Sequence, residues 1–589
     1  MSLPQPATRK DFLPAWAETA GVFLFLAVTF WIIRYWHSGA FGWYEDDLTI
    51  IPRAVTLPAP DLFAYVWSYI YHLYGHARPL SDSMIYVFSH FGWKLGGIAG
   101  AYWIGYGIQV LNILLFYLLL KRVHSRLFAL TGSLAYILFS ADTTQVFLTH
   151  SLGLHPSITL LLLASHAYLS GRKILAYLLA FIILFSYETP FLLFLAVPLL
   201  QKDWDWKKIK EWVFHGLILG ALLVGIILLR SAVGEGRVEG LTPAQMITTP
   251  ILHMLQGPPV SLGTYFYRPI QALGSLNLEV ILASLLAFLA IFWALWRTRP
   301  GFVNLSTQTV RDAWQGFRPA RLAAALRRGE YPQEIPPEWK ALIRLAAAGL
   351  VLLVLAYPLT FTVRAYAISG RDTRVHAAAV VGAAVLWASL GTFAISFAAI
   401  YRKKALAVLP LAALFALLAG YGFVIQRDYT QGWQLQKQFW TEIQPLIQDA
   451  GADTVILVEP TGLRDTRQMG ANTWNLPRIL NQIYTFPPDW KNPPRVYRLA
   501  PNWQNQILTE DGQFQINAAT SIAPPSLYVT ADPENVIFIE TKTGRLERRK
   551  TPLPLGDREY ELKTVSSPTL QAYPPGFLYP LLVQEPYTY

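Results

Sequence analysis

From about residue 17 to residue 425 the chain is a succession of apolar runs of roughly 15–25 residues, each near the ~20 residues that carry a helix across a bilayer. Nothing else in the sequence restricts the fold as strongly. Lysine and arginine cluster in breaks between these runs. Charged residues make up 14% of the chain and hydrophobic ones 53%, whereas a soluble domain is about a quarter charged. The mean hydropathy is +0.33. The expected fold class is therefore a polytopic α-helical membrane protein.

The first run, 17–36, follows an arm containing Arg9 and Lys10. It is longer than the roughly 7–15 residues of a signal-peptide core, so it reads as an uncleaved first span with a cytoplasmic N-terminus. The net charge of +11 could point to nucleic acid, but its placement does not. Basic residues gather in the breaks: Lys121-Arg122, Arg172-Lys173, Lys207 to Lys210, Arg297 to Arg328 and Arg402 to Lys404. That is the positive-inside pattern, and no nucleic-acid partner is expected. The stretch from Arg297 to Arg328 reads as an amphipathic cytoplasmic segment on anionic lipid. With no cysteine in the chain, disulfides, thiolate metal sites and cysteine nucleophiles are excluded.

Placing every basic cluster inside requires about 11 crossings. Spans at 17–36 and 98–120 flank an outside segment, 37–97. The stretches 127–141 and 146–169 must form a hairpin, as must 174–187 and 189–201. Spans at 212–230 and 278–296 flank a loop, 231–277. Spans at 341–361, 374–399 and 405–425 complete the set. The run 174–201 offers only about 42 Å of helix, too little for two full crossings. Its tip, "SYETP", is expected to stop below the outer surface, beside a polar cavity. Residues 1–427 are expected to form the membrane domain. Residues 428–589 change to short alternating stretches, with a strand pair around Lys542-Thr543-Gly544. They read as a small extracytoplasmic α/β domain. The protein is expected in the plasma membrane, multi-pass.

With this threading the unusual polar residues fall on one face: Glu45-Asp46-Asp47, His76 and Arg78 in "GHARPLSD", Asp142, His150, His155, Glu188, Arg237, Arg268, and Arg364, Arg371 and Arg374. Ionisable groups at membrane depth are functional candidates by default. Plainer roles compete. Asp142 reads best as a helix N-cap, and His150 and His155 as core residues. Glu188 suits a helix start, and the three late arginines suit headgroup anchors. Adjacent carboxylates repel, however, so one needs a cation or a raised pKa. Arginine is the side chain suited to clamping phosphate. Acids facing arginines in such a cavity suit the transfer of a group from a lipid phosphate to a hydroxyl.

The arrangement resembles the GT-C superfamily of integral-membrane glycosyltransferases, which includes protein O-mannosyltransferases and aminoarabinose transferases. Four features carry the resemblance over about 17–425: the acidic "YEDDL" of the first outside loop; "FAYVWSYIYHLYGHARPLSDSMIYVF", like two helices along the membrane around a "GRPL"-type turn, here spaced "GHARPL"; "SYETPFLLFLAVP" ending a mid-chain helix; and a many-span core followed by an outside domain. The resemblance implies inverting transfer of a hexosyl or pentosyl group from a polyprenyl-phosphate-linked donor. A first-loop acid would be the base: Asp46 or Asp47, with Glu45 a third candidate. Arg364, Arg371 and Arg374 would hold the donor phosphate, with His76, Arg78, Glu188 and Arg268 as further substrate-binding candidates. Some members use a divalent metal. Glu45, Asp46 and Asp47 could bind Mg²⁺ or Mn²⁺, but no helper histidine pair is evident, so no cofactor is expected. The acceptor, whether protein, lipid or glycan, is open. The competing classes are a transporter, for which matching halves are not visible, and a non-catalytic scaffold for surface polymer assembly.

Overall fold

The computed structural model describes residues 15–73, 78–201, 206–234, 242–299, 337–361, 364–459, 466, 476–499, 503–517, 528–542, 544–566, 570 and 573–583. His76, Arg237 and most of the basic segment 297–340 lie outside the described residues. Helix α1 (Ala15–Tyr35) leads to α2 (Asp47–Thr56) and α3 (Ala59–Tyr71). Helix α4 (Pro79–Val123) has 45 residues and is two helices in one. It breaks at Gly97, which takes φ 60° and ψ −138°, a conformation open only to glycine. The half before the break packs with α2 and α3; the half after it spans.

Next come α5 (Arg126–Ile137), a π turn at His150–Leu154, α6 (His155–Leu169), α7 (Lys173–Ser186) and a 3₁₀ stretch, Phe191–Leu200. The elements α8 (Trp206–Ala232), α9 (Pro243–Gly274), α10 (Leu278–Arg297) and α11 (Pro337–Leu355) follow. A 3₁₀ turn, Arg371–His376, precedes α12 (Ala379–Ile400) and α13 (Ala405–Ile443). Seven helices among the described residues are long and apolar enough to cross a bilayer. The chain is a multi-pass membrane protein.

The basic clusters collect at one end of the bundle. Lys121 donates to Thr19 (2.9 Å) and Arg126 pairs with Glu18. Arg122 donates to the Leu169 carbonyl (2.6 Å), and Lys173 meets Glu211 (3.4 Å). Lys404 donates to the carbonyls of Trp296 and Thr298 (2.6 and 2.7 Å). The acid-bearing loop lies at the opposite end, as the threading requires. The hairpins are present and short: α5 has 12 residues and α7 has 14. Their tips, 138–149 and 187–190, come to the acidic end.

One expectation is corrected. The segment 231–277, read as a loop, holds the 32-residue helix α9. Pro250, Pro258, Pro259 and Pro269 lie inside it, and internal prolines ordinarily break a helix. Tertiary contacts compensate. His253 bonds Thr360 (3.0 Å) and Tyr265 donates to the Ala135 carbonyl (2.7 Å). Both partners stand at the acidic end, so α9 runs across that end instead of adding a crossing.

Helix α13 is 39 residues long and passes through residue 427 without a break, joining the last span to the C-terminal region. There β1 (Val455–Val458), helix α14 (Leu476–Ile483) and β2 (Arg495–Arg498) are followed by β3 (Ile507–Glu510), β4 (Gln513–Asn517) and β5 (Tyr528–Ala531). Strands β6 (Val536–Lys542), β7 (Arg545–Arg548), β8 (Leu553–Leu555) and β9 (Arg558–Tyr560) and helix α15 (Tyr579–Leu582) complete the chain. The main sheet has the order β2-β1-β6-β7. β1 pairs in parallel with both neighbours, Val455 opposite Arg495 and Val536. Its "VILV" is buried at every position, as a central parallel strand demands. β6 and β7 form the expected hairpin, Lys542 opposite Arg545.

The tail after this domain returns to the membrane part. Phe577 stacks on Trp43 (5.7 Å between centroids) and packs edge-on to Trp93 (5.2 Å). Gly42, beside Trp43, lies against the Trp433 ring, where a Cβ would come within 1.8 Å; only glycine fits there.

Candidate active site

Three consecutive acids meet three different environments, because the turn into α2 rotates each onto a different side. Glu45 takes φ 49°, a left-handed conformation that costs a non-glycine residue energy and is held by its surroundings. Tyr44, just before it, is fixed by donating to the Tyr429 carbonyl (2.8 Å).

Asp47 points inward and is fully buried. It accepts from the backbone N–H groups of Thr149 (2.8 Å), Leu148 (3.2 Å) and Tyr44 (3.3 Å). It ties the first loop to the tip of the first hairpin. Burial lifts its carboxyl to about 7 against the pull of these amides. Glu45 is also buried. Burial pushes it up to about 8, although Arg371 draws it down. Asp46 is the open one, with 21% of its side chain exposed.

Arg371, 325 residues later in the chain, bridges two of the acids. Its guanidinium lies 3.1 Å from Glu45 Oε2 and 3.0 Å from Asp46 Oδ2. The 3₁₀ turn carrying it is anchored at both ends. Thr373 Oγ1 accepts from the Thr143 amide (3.1 Å), and His376 bonds the Ala367 carbonyl through Nε2 (2.8 Å). His376 Nδ1 meets the hydroxyls of Tyr357 (2.8 Å) and Ser261 (3.1 Å), linking the turn to the segment just after α11 and to α9. Arg374, on the same turn, is half-buried and contributes to the electrostatics of Glu45. Its Nε has no hydrogen-bond partner.

The other candidates separate. Arg364 is exposed, over the Tyr366 ring at 5.9 Å, and does not join the acids. Arg268 is 1% exposed. Its guanidinium donates to Ser140 O (3.3 Å), Ile368 O and Gln271 Oε1 (2.7 Å) and lies 4.8 Å over Tyr421. That surrounds it with structural acceptors. Arg78 and Glu188 meet each other, Nε to Oε2 at 2.7 Å, with Arg230 on the same carboxylate at 3.2 Å. Arg78 also covers the Tyr187 ring at 4.3 Å. The "GHARPL" turn and the "SYETP" tip are thus one cluster. Asp142 caps its own loop, accepting from the Thr144 amide (2.8 Å) and hydroxyl (2.7 Å), while its buried Oδ2 has no partner. His150 bonds Thr144 Oγ1 (3.0 Å) as a core residue would, whereas neither His155 ring nitrogen has a partner.

Two arginines escaped the sequence reading. Arg34 is 4% exposed and donates to the Phe139 carbonyl (2.6 Å). Its signal was an arginine inside the apolar run "WIIRYW". Arg230 is the last residue of the expected span 212–230, and α8 runs on to Ala232. Among the described residues no group of three or more His, Cys, Asp or Glu side chains is placed to hold a metal ion. The acid pair presents its charge to a guanidinium, and Asp47 is occupied by amides.

No family model matches the sequence, and no curated protein matches it. Two solved structures are similar to the chain. One is ArnT from Cupriavidus metallidurans in the apo state: 17% identity, 76% of this chain and 83% of that one covered, TM-score 0.31. The other is ArnT from the same organism bound to undecaprenyl phosphate: 16% identity, 75% and 82% covered, TM-score 0.31.

Proposed function

We propose that the chain is a GT-C-type glycosyltransferase that moves a sugar from a polyprenyl-phosphate-linked donor to an acceptor hydroxyl at the acidic end of the bundle, on the extracytoplasmic face. The observation that carries this reading is Arg371 bound to Glu45 and Asp46. It joins the two segments that the chemistry needs together, an acid in the first loop and a cation in the last.

Asp46 is the base. It has an open side and α2 fixes its backbone. The donor phosphate binds Arg371, with Arg374 beside it, and takes up part of the guanidinium that Asp46 holds at rest. Asp46 then accepts the proton of the acceptor hydroxyl. That oxygen bonds the anomeric carbon as the bond from the anomeric carbon to the phosphate oxygen breaks, and the lipid phosphate leaves on the arginines with its electron pair. Attack from the side opposite the leaving group inverts the anomeric centre. Glu45 tunes and holds Arg371, and Asp47 holds the loop. The Arg78–Glu188–Arg230 cluster belongs to the same end and lines the approach of substrate.

The reading is tested by incubating the reconstituted protein with polyprenyl-phosphate sugars and following release of the polyprenyl phosphate. Orientation is tested separately. Cysteines introduced at Asp557 and Lys403, both exposed, should react with an impermeant thiol reagent on intact cells only at Asp557. Reaction at Lys403 alone would reverse the topology and place the acids in the cytoplasm.

A further inference from the structure

We propose that a cavity between the C-terminal tail and the membrane helices binds one anionic phospholipid of the surrounding leaflet. The cavity, about 470 Å³, is lined by Ile98, Trp433, Lys437 and the tail residues Tyr579, Pro580, Leu581 and Val583. That volume falls in the range of small-molecule sites.

Its level in the bilayer follows from its neighbours. Ile98 is the first residue after the Gly97 break, where α4 turns from lying along the bundle to spanning it. Tyr102, one turn further in, donates to the Gly42 carbonyl (2.8 Å), and Gly42 packs on Trp433. The cavity therefore sits where hydrocarbon gives way to headgroups, the level at which tryptophan and tyrosine settle. Leu95 (76% exposed) and Phe91 (44% exposed), just before the break, extend the apolar surface beside it.

The lining is amphipathic in the manner a lipid requires. Ile98, Leu581 and Val583 are aliphatic, and Trp433 and Tyr579 are aromatic. Lys437 supplies a cation. It is half-buried and forms no ion pair among the described residues. A lysine stem lies along apolar surface and holds its ammonium at the rim, which suits a headgroup phosphate there. None of Glu45, Asp46, Arg371 and Arg374 lines this cavity, so the proposal does not depend on the transferase reading. Its occupant touches Trp433, which packs under the acid loop, and Tyr579, two residues from the Phe577 that stacks on Trp43. A bound lipid would brace that loop.

The test uses full-length protein in phosphatidylcholine nanodiscs carrying trace photoreactive phosphatidylglycerol or photoreactive phosphatidylcholine, with adducts mapped by mass spectrometry. Phosphatidylglycerol should label the segment 579–583 or Trp433. Lys437→Gln should reduce this labelling about fivefold, the affinity one basic residue supplies near anionic lipid, and Lys437→Arg should retain it. Leu581→Trp, which fills the cavity, should also reduce it. Thermal melting without probe checks that each variant is folded. Equal labelling by both probes, or undiminished labelling of folded Lys437→Gln, would overturn the proposal. So would displacement by equimolar polyprenyl phosphate, which would assign the cavity to the donor.

Discussion

Asp46→Asn should bind a polyprenyl-phosphate donor as the parent does and transfer its sugar ~10²–10⁴-fold more slowly, the usual contribution of a general base. The substitution keeps the shape of the side chain and removes its ability to take a proton. Asp46 caps nothing through its carboxylate: no side-chain cap bond is made to α2. Its ion pair with Arg371 is backed by the one Arg371 makes with Glu45, so the fold should be little affected. Asp47→Asn is the contrasting control. Its carboxylate receives the Thr149 and Leu148 amides across 102 and 101 residues of chain. An amide side chain presents one acceptor oxygen where the carboxylate presents two, so one of those N–H groups is left unmet. Loss of a hydrogen bond to a charged group costs about 1.5–3 kcal/mol, and the variant should melt earlier. Transfer slowed less than tenfold by Asp46→Asn would remove Asp46 as the base.

Arg371→Ala should weaken donor binding by about 1.5–3 kcal/mol, the range of a hydrogen bond to a charged group, and should slow turnover as well. A group that holds the leaving phosphate as its charge grows lowers both. The loss also takes from buried Glu45 the stronger of the two arginines that act on it, which drives that carboxyl further toward its neutral form. Arg371→Lys keeps the charge and loses the planar fork that touches Glu45 and Asp46 at once, so it should fall between the two. Arg364→Ala is the built-in comparison. Its side chain is exposed and stands apart from the acids, and donor binding should not change. If Arg364→Ala and Arg371→Ala behave alike, the clamp lies elsewhere.

The bundle was legible because charge and length are one-dimensional. Lys121, Lys173 and Lys404 fix which end each helix turns at, and the 28 residues of 174–201 are too few for two full spans. Helix α9 was not legible, because four internal prolines ordinarily break a helix and the contacts that offset them, such as His253 with Thr360, are distant in sequence. The site was partly legible. Acids in the first loop and arginines in the last could be paired by topology alone. Which arginine reaches them could not be read, because Arg364, Arg371 and Arg374 differ only in where a short 3₁₀ turn points each one. Arg268 looked the same in sequence as Arg371. It is enclosed by the Ser140 and Ile368 carbonyls instead, a property of two other segments.

The most direct measurement titrates one polyprenyl-phosphate sugar against the parent, Asp46→Asn and Arg371→Ala, and records binding and release of polyprenyl phosphate in the same samples. The account predicts that the parent binds and turns over, that Asp46→Asn binds without turning over, and that Arg371→Ala binds weakly. A parent that binds the donor but never releases polyprenyl phosphate with any acceptor, or variants indistinguishable from the parent in both readouts, would contradict it.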